Sequence, residues 1–211
     1  MVEMYRGRKV SSYIRMDEGT QEDYDLLHEY AEPFRKGVVD RLLEQMKALH
    51  HTFPGNKIDR YEHCLQTAQR AYDAGECEEI VVAGLLHDIG DNLSPDNHAT
   101  IAAAILRPYV SQNVHWMIEH HPVFQGYYFF AKVGKDRNMR DQYKDHPAFE
   151  LADRFCGVYD QTAFDPDYPT GTMDFFEPMV RRIFAREPWG AHHESEWPLD
   201  SAPAKQQAAA E

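Results

Sequence analysis

Apolar residues recur along most of the chain at the three- and four-residue spacing that one face of an α-helix requires. The first such segment begins at Thr20, where T-Q-E-D supplies an N-terminal cap and early acidic residues. Pro33 interrupts this pattern, and a second helix is predicted from Phe34 to Leu49. No segment alternates apolar and polar residues over the length of a strand. The pattern therefore predicts an all-α fold.

The middle of the chain contains two further predicted helices. Asp59 and Glu62 form a capping box for the first, which runs to Ala74 and is closed by Gly75. The second, from Glu78 to Leu86, is apolar on nearly all sides. We therefore expect the second helix to lie at the centre of the domain.

Prolines mark several of the remaining helix boundaries. Ser94 and Pro95 are typical of a helix start, and Pro122 is predicted to end the helix that Ser111 caps. From Phe124 to Asp145 the sequence predicts irregular structure. The last predicted helices run from Pro147 to about Asp160 and from Phe175 to Phe184.

The length of 211 residues suits one domain with a full-sized core. Composition divides the chain into a polar N-terminal arm (1–19), a helical domain (20–186) and a C-terminal tail (187–211). Because the tail contains several prolines and ends in a short polar and alanine-rich run, we expect it to be disordered or loosely packed.

The chain is acidic, with 35 Asp and Glu against 22 Lys and Arg and a net charge of -13. Such a charge repels polyanions, so nucleic acid and an anionic membrane surface are not the expected partners. Three widely spaced cysteines, Cys64, Cys77 and Cys156, indicate neither a disulfide framework nor a cysteine zinc site. The sequence shows no signal segment and no membrane span, and the expected location is the cytoplasm.

The predicted central helix ends in H-D-I-G, which places an imidazole beside a carboxylate at a helix end. A buried histidine and a capping aspartate would explain His87 and Asp88 taken alone. Metal-competent residues also stand near the ends of other predicted helices, however. The candidate ligands are His63, His87, Asp88, His98, His120 and Asp160.

Neutral imidazoles and carboxylates without a thiolate suit iron, manganese or zinc. The set is large enough for two ions if one carboxylate bridges them. Asp88 is the natural bridge, because His87 can turn toward one ion while the two oxygens of Asp88 reach both. The sequence therefore predicts a two-metal site.

The order H…HD…H…H…D resembles the HD-domain superfamily of metal-dependent phosphohydrolases and oxygenases. Within it, the chain resembles in particular the mixed-valent di-iron oxygenases that cleave hydroxylated aminophosphonates, relatives of myo-inositol oxygenase. The matching segments lie between Phe53 and Ala163 and are F-P-G-N-K-I-D-R-Y-E-H-C-L-Q-T-A, L-L-H-D-I-G, H-A-T-I-A-A-A-I-L and Y-D-Q-T-A.

The resemblance implies a helical bundle around a mixed-valent Fe(II)/Fe(III) pair, with manganese, zinc or magnesium as alternatives, and dioxygen as a co-substrate. One iron would be held by His63, His87 and Asp160, the other by His98 and His120, and Asp88 would bridge them. Asp88 is then also a candidate catalytic residue. His121 is expected to lie behind the ligands or to face the substrate, and it is a second candidate for a catalytic role.

Several positions depart from the aminophosphonate enzymes. A tyrosine and a glutamate that precede the first ligand there are Phe53 and Asn56 here. Asp91 replaces a basic group or histidine, and Phe124 replaces a lysine. Asn56 and Asp91 are candidate substrate contacts, and the departures argue against a 2-amino-1-hydroxyphosphonate as the substrate itself.

The predicted irregular segment carries an aromatic cluster at 127–130 followed by a basic run. A solvated surface face would explain the basic run. The alternative is a lid over an anionic substrate, to which Lys132, Lys135 and Arg137 would bind. The aromatic cluster would be either the core of that lid or a contact in a homo-oligomer.

These observations support two enzymatic interpretations and a third, structural one. The first is a di-iron oxygenase that cleaves a small hydroxylated substrate, with or without a phosphonate group. The second is a phosphohydrolase in which two divalent ions generate a hydroxide and bind a phosphoryl oxygen of a small phosphate ester or nucleotide. The third is a metal-stabilised domain without turnover.

Overall fold

The computed structural model of the chain describes residues 7–52 and 55–207. Within these ranges the regular structure is helical and contains no strand, although Cys77 and Pro203 form an isolated bridge, so the predicted all-α class is confirmed. None of the helices in these ranges has both the length and the apolar character needed to cross a bilayer. Phe53, residues 1–6 of the predicted arm and residues 208–211 of the predicted tail lie outside the described residues.

The α-helices are, in chain order, α1 (Gln21–Lys36), α2 (Val38–Lys47), α3 (Arg60–Ala74), α4 (Glu78–Leu86), α5 (His98–Leu106), α6 (Gln112–Phe129), α7 (Phe149–Arg154), α8 (Met173–Phe184), α9 (Ala191–Glu194) and α10 (Ala204–Gln207). Short 3-10 helices occur at Met16–Glu18, Pro95–Asn97, Phe130–Val133 and Arg137–Tyr143, and a π-helix occurs at Phe155–Asp160.

The chain forms two compact units, one that ends at Leu42 and one that begins at Leu43. In the first unit, Thr20 and Asp23 form the capping box that starts α1, as predicted. The predicted break at Pro33 is wrong, because α1 continues through this proline to Lys36 and is capped by Gly37. The division into arm, domain and tail stays a prediction.

Helix α4 is the central helix of the second unit. It is buried along its whole length and packs against α3, α6 and α8, which confirms the predicted central position. Its first-turn acids are neutralised by Arg182 of α8, 2.6 Å from Glu78, and by Arg186, which follows α8 and lies 2.6 Å from Glu79. Helix α4 therefore brings its C-terminal end into the middle of the unit.

Helix α6 does not end at Pro122 as predicted but continues to Phe129. A proline inside a helix removes one N–H donor and crowds the preceding turn, a cost that tertiary packing can offset. Helix α6 packs against α5 and α7. Phe124, two residues beyond the proline, is fully buried. Burial of the second half of α6 thus outweighs the local signal for a helix end.

The predicted helix that ends near Asp160 is present as α7 followed directly by the π-helix. A π-turn contains more residues than an α-turn, and it therefore changes the direction in which the following side chains point. Asp160 is the last residue of this turn and is 1% exposed.

The described part of the predicted tail, residues 187–207, lies against the rest of the second unit and is not loosely packed. The amides of Gln112 and Asn113 donate to the carbonyls of Ser195 and Glu196 at 2.9 and 3.1 Å. These amides belong to the first turn of α6 and have no acceptor within that helix. Ala204, near the end of the described chain, is fully buried.

Candidate metal centre

His87 and Asp88 directly follow α4, in a tight turn of the buried core. They are 0% and 3% exposed. Gly90 allows α5 to approach this turn closely, since a Cβ at Gly90 would lie 2.8 Å from Cβ of Ile101 and 3.1 Å from the carbonyl oxygen of His98. The glycine of H-D-I-G thus allows His98 to lie close to the His87–Asp88 pair.

A first ligand group lies on the Oδ2 side of Asp88. Nε2 of His63 is 3.2 Å from Nε2 of His87 and 3.2 Å from Oδ1 of Asp160. Oδ2 of Asp88 is 3.3 Å from Nε2 of His87 and 3.6 Å from Nε2 of His63. Four potential ligand atoms from α3, the turn after α4 and the π-helix therefore converge on one point.

A second ligand group lies on the Oδ1 side of Asp88. Nε2 of His98, at the start of α5, is 3.3 Å from Nε2 of His121 in α6. Oδ1 of Asp88 is 3.3 Å from the former atom and 3.4 Å from the latter. The two oxygens of Asp88 therefore face different histidine pairs, which is the arrangement that a bridging carboxylate needs.

The orientation of the four rings determines which nitrogen faces the centre. Nδ1 of His63, His87, His98 and His121 donates to the carbonyl of Ala163, Gly84, Pro95 and Ile118, respectively, at 2.6–2.8 Å. Because a carbonyl can only accept, the hydrogen of each neutral ring lies on Nδ1. Each ring therefore directs the lone pair of Nε2 inward, as metal-binding histidines do.

This donor set fits metal ions. Nitrogen lone pairs that face each other at 3.2 and 3.3 Å repel unless a cation lies between them. Oδ2 of Asp160 is buried without a hydrogen-bond partner. Such burial is unfavourable unless a ligand binds this oxygen. Two groups of three residues each have their ligand atoms within 4.8 Å of one another. The groups are His63, His87 and Asp160, and His87, Asp88 and His121.

The charges of the metal-free centre also indicate that a cation binds there. Burial would lower the pKa of His87, but Asp88 and Asp160 outweigh it and raise this pKa to about 10. Burial would raise the pKa of Asp160, but the adjacent imidazoles of His63 and His87 hold this pKa below its ordinary value. A proton thus compensates the carboxylates when no metal is bound, and it must leave when a metal binds.

Arg60 is a site residue that the sequence patterns did not single out. Its Nη1 donates to Oδ2 of Asp88 at 2.7 Å, and its Nε donates to Oδ2 of Asp91 at 2.8 Å. Asp91, predicted as a substrate contact, is thus engaged by Arg60. The position of Arg60 three residues before His63, on the same face of α3, was the signal that could have identified it.

The structure does not bring His120, a predicted metal ligand, to the centre. Its ring stacks on Trp116 with centroids 4.2 Å apart and meets the ring of Tyr143 at 4.9 Å. Consecutive helical residues point about 100° apart, so His120 and His121 cannot both face Asp88. His121 instead places its Nε2 near Asp88. If His121 is the fourth histidine of the pattern, the position of the lysine in the aminophosphonate enzymes corresponds to Gln125 here rather than to Phe124.

The geometry gives no support to substrate binding by Lys132, Lys135 and Arg137. All three are exposed, and none lines the cleft at the centre. The guanidinium of Arg137 lies 3.9 Å from the centroid of the Tyr127 ring, and Nζ of Lys135 lies 5.4 Å from that of Phe130. The structure agrees with the alternative, a solvated basic face.

A cleft of about 520 Å³ opens onto the centre. Asn56, which was predicted as a substrate contact, lines it together with Arg60. Nε2 of Gln125 donates to Oδ1 of Asp160 at 2.9 Å, whereas Oε1 of Gln125 is buried without a partner. The remaining lining residues are Asp88, His98, His121, Pro122, Tyr128, Phe129, Asp160, Gln161 and Phe164.

Comparison with known families agrees with this geometry. Residues 60–156 match the family described as the HD domain. The matched range includes five of the six converging His and Asp residues and ends before Asp160, whose place in the first ligand group rests on geometry. No curated protein matches the chain. The helical fold, the buried H-D pair and the family match over residues 60–156 together support the placement of this chain in the HD-domain superfamily.

Proposed function

We propose that this protein is a dinuclear metalloenzyme, and specifically a di-iron oxygenase that cleaves a small hydroxylated substrate, with or without a phosphonate group. The observation that carries the proposal is the position of Asp88 between two histidine pairs, one on each oxygen. A single ion would leave part of this set of histidines without a metal to bind.

The donor set is compatible with iron. The centre combines four imidazoles and two carboxylates and contains no thiolate, which suits iron, manganese or zinc. His63, His87 and Asp160 would hold one ion, His98 and His121 the other, and Asp88 would be shared. Bound iron would supply the electrons for activation of dioxygen, while the protein would supply geometry and exclude competing reactions.

The cleft explains where a substrate would bind. The second ligand group has fewer protein ligands than the first, and both of its histidines line the cleft. An ion held there would retain open positions for a substrate hydroxyl. The side-chain amides of Asn56, Gln125 and Gln161 provide uncharged donors and acceptors for further hydroxyls. The ring of Phe164 stacks on the ring of His63, with centroids 4.5 Å apart.

A second candidate function is a metal-dependent phosphohydrolase, which Arg60 favours. Its guanidinium lines the cleft beside Asp88, and an arginine in this position could bind a phosphoryl oxygen. Two divalent ions would then generate the nucleophilic hydroxide. Arg60 already pairs with Asp88 and Asp91, and its charge is therefore largely compensated, so we place this function second.

Anaerobic purification followed by metal analysis and EPR spectroscopy separates the two functions. The oxygenase is expected to contain iron, to give the paramagnetic signal of a mixed-valent pair and to consume oxygen with a hydroxylated substrate. Manganese, zinc or magnesium together with phosphate release from phosphate esters would instead support the hydrolase. A protein that binds one ion at most would contradict both dinuclear proposals.

A further inference from the structure

We propose that Pro122 is a positioning residue for the second metal ion, because its missing N–H leaves the carbonyl of Ile118 free to orient His121. The inference rests on the proposed two-metal site. The hydrogen bond from Nδ1 of His121 to the carbonyl oxygen of Ile118 is 2.8 Å long, and both residues lie within α6.

Three of the four inward-facing histidines orient their rings in the same way. His87, His98 and His121 each donate from Nδ1 to the carbonyl three residues earlier, which belongs to Gly84, Pro95 and Ile118, respectively. In an α-helix, such a carbonyl normally accepts the N–H of the residue that follows the histidine. The imidazole and the next backbone amide thus compete for one acceptor.

The competition differs between these sites because the histidines occupy different places in their helices. His87 follows the last residue of α4, and His98 is the first residue of α5, so both are at helix ends, where the regular hydrogen bonding is incomplete. His121 lies in the interior of α6, which extends from Gln112 to Phe129. Only there would an intact helical ladder use the carbonyl that the ring needs.

Pro122 removes that competitor. It follows His121 directly and has no N–H, so it cannot donate to the carbonyl of Ile118 four residues earlier. The imidazole can therefore bind this oxygen, which places the hydrogen on Nδ1 and directs Nε2 toward Asp88, 3.4 Å away. The proline that was expected to end the helix instead supplies the acceptor that orients a ligand within it.

The test compares Pro122→Ala with Pro178→Ala. The second variant is the matched control, because Pro178 also lies inside a helix, α8. Pro178 is exposed and is not part of the candidate metal centre. Both variants gain one helical N–H, but only Pro122→Ala gains it opposite a carbonyl that a ligand histidine uses. Iron and manganese affinities at the two sites are measured by anaerobic titration, and the tautomer of His121 in the metal-free protein is measured by ¹⁵N NMR.

In Pro122→Ala we expect about tenfold weaker binding of the second ion, unchanged binding of the first, and a partial shift of the His121 hydrogen from Nδ1 to Nε2. A third variant, with lactic acid in place of Pro122, lacks both the ring and the N–H and should behave as the unmodified chain. Wild-type affinity and tautomer in Pro122→Ala, or equal losses in the lactic acid variant, would overturn the inference. If the unmodified chain binds no second ion, the two-metal proposal fails, whereas the tautomer comparison still decides the role of Pro122.

Discussion

Oδ1 of Asp88 lies 3.4 Å from Nε2 of His121, while Oδ2 of the same carboxylate lies 3.3 Å from Nε2 of His87. The two imidazoles meet edge to face, with ring centroids 5.0 Å apart. One aspartate therefore separates two histidine pairs that come from different helices, and both proposed functions depend on this relationship.

Replacement of Asp88 by asparagine should abolish two-metal loading. An amide offers one acceptor oxygen and an NH₂ group that cannot bind a cation, so it cannot bridge two ions. Metal content after equilibrium dialysis measures the effect. Asp91→Asn is the matched control, since it removes a nearby buried carboxylate outside both ligand groups. Full loading of the Asp88 variant would exclude the bridging role.

The neighbouring histidines His120 and His121 should respond differently to substitution. His121→Ala removes a ligand atom from the second group and should lose the second ion while retaining the first. His120→Ala should retain both ions and lose about 1 kcal/mol of the free energy of unfolding, because it removes ring contacts with Trp116 and Tyr143 and no ligand atom. Site-resolved metal titration and chemical denaturation measure both effects. Metal loss in the His120 variant alone would reverse the assignment.

Metal affinity should increase with pH. Because the pKa of His87 is raised from 6.5 to about 10 in the metal-free chain, its protonation stabilises the fold fully below 6.5, and this contribution is lost as pH rises through about 10. A metal ion must displace this proton, so the apparent affinity should increase about tenfold per pH unit near neutrality. Calorimetry in buffers of different ionisation enthalpy should detect about one released proton per chain. Binding without proton release would contradict this coupling.

Arg60→Met should destabilise the metal-free protein more than the metal-loaded protein. The substitution leaves two buried carboxylates without this guanidinium, a loss of about 3 kcal/mol in the free energy of unfolding. Bound metal would compensate Asp88 and reduce the loss, which denaturation with and without metal measures. Arg154→Met is the control, because this arginine is half-exposed in its pair with Glu76 and should contribute less than about 1 kcal/mol. An equal loss in both metal states would argue against a metal at Asp88.

Gly90→Ala should weaken the second ligand group. The added Cβ would lie 2.8 Å from Cβ of Ile101, so α5 must shift and carry His98 with it. We expect a loss of about 2 kcal/mol in stability and weaker binding of the second ion. Gly84→Ala serves as the control, since its Cβ would meet the nearest atom at 3.4 Å, close to an ordinary contact. Thermal unfolding and metal titration of the two variants decide the matter, and equal behaviour would remove the proposed role of Gly90.

Local sequence determined most of the helices and part of the site. The caps of α1 and α3, the bounds of α4 and the position of the H-D pair were all predicted, because capping and amphipathic spacing depend on residues within a few positions of each other. The predicted ligands His63, His87, Asp88, His98 and Asp160 do converge, since each stands in or next to a helix end or first turn that these local signals position.

Tertiary packing decided the remainder. Whether His120 or His121 faces Asp88 depends on how α6 is rotated against α5 and α7, and neighbouring positions in one helix carry no local signal for that rotation. Packing also carried α6 past Pro122, and the position of Arg60 beside Asp88 and Asp91 required α3 to lie against the turn after α4. A sequence specifies which groups are available, whereas the contacts between distant segments determine which of them meet.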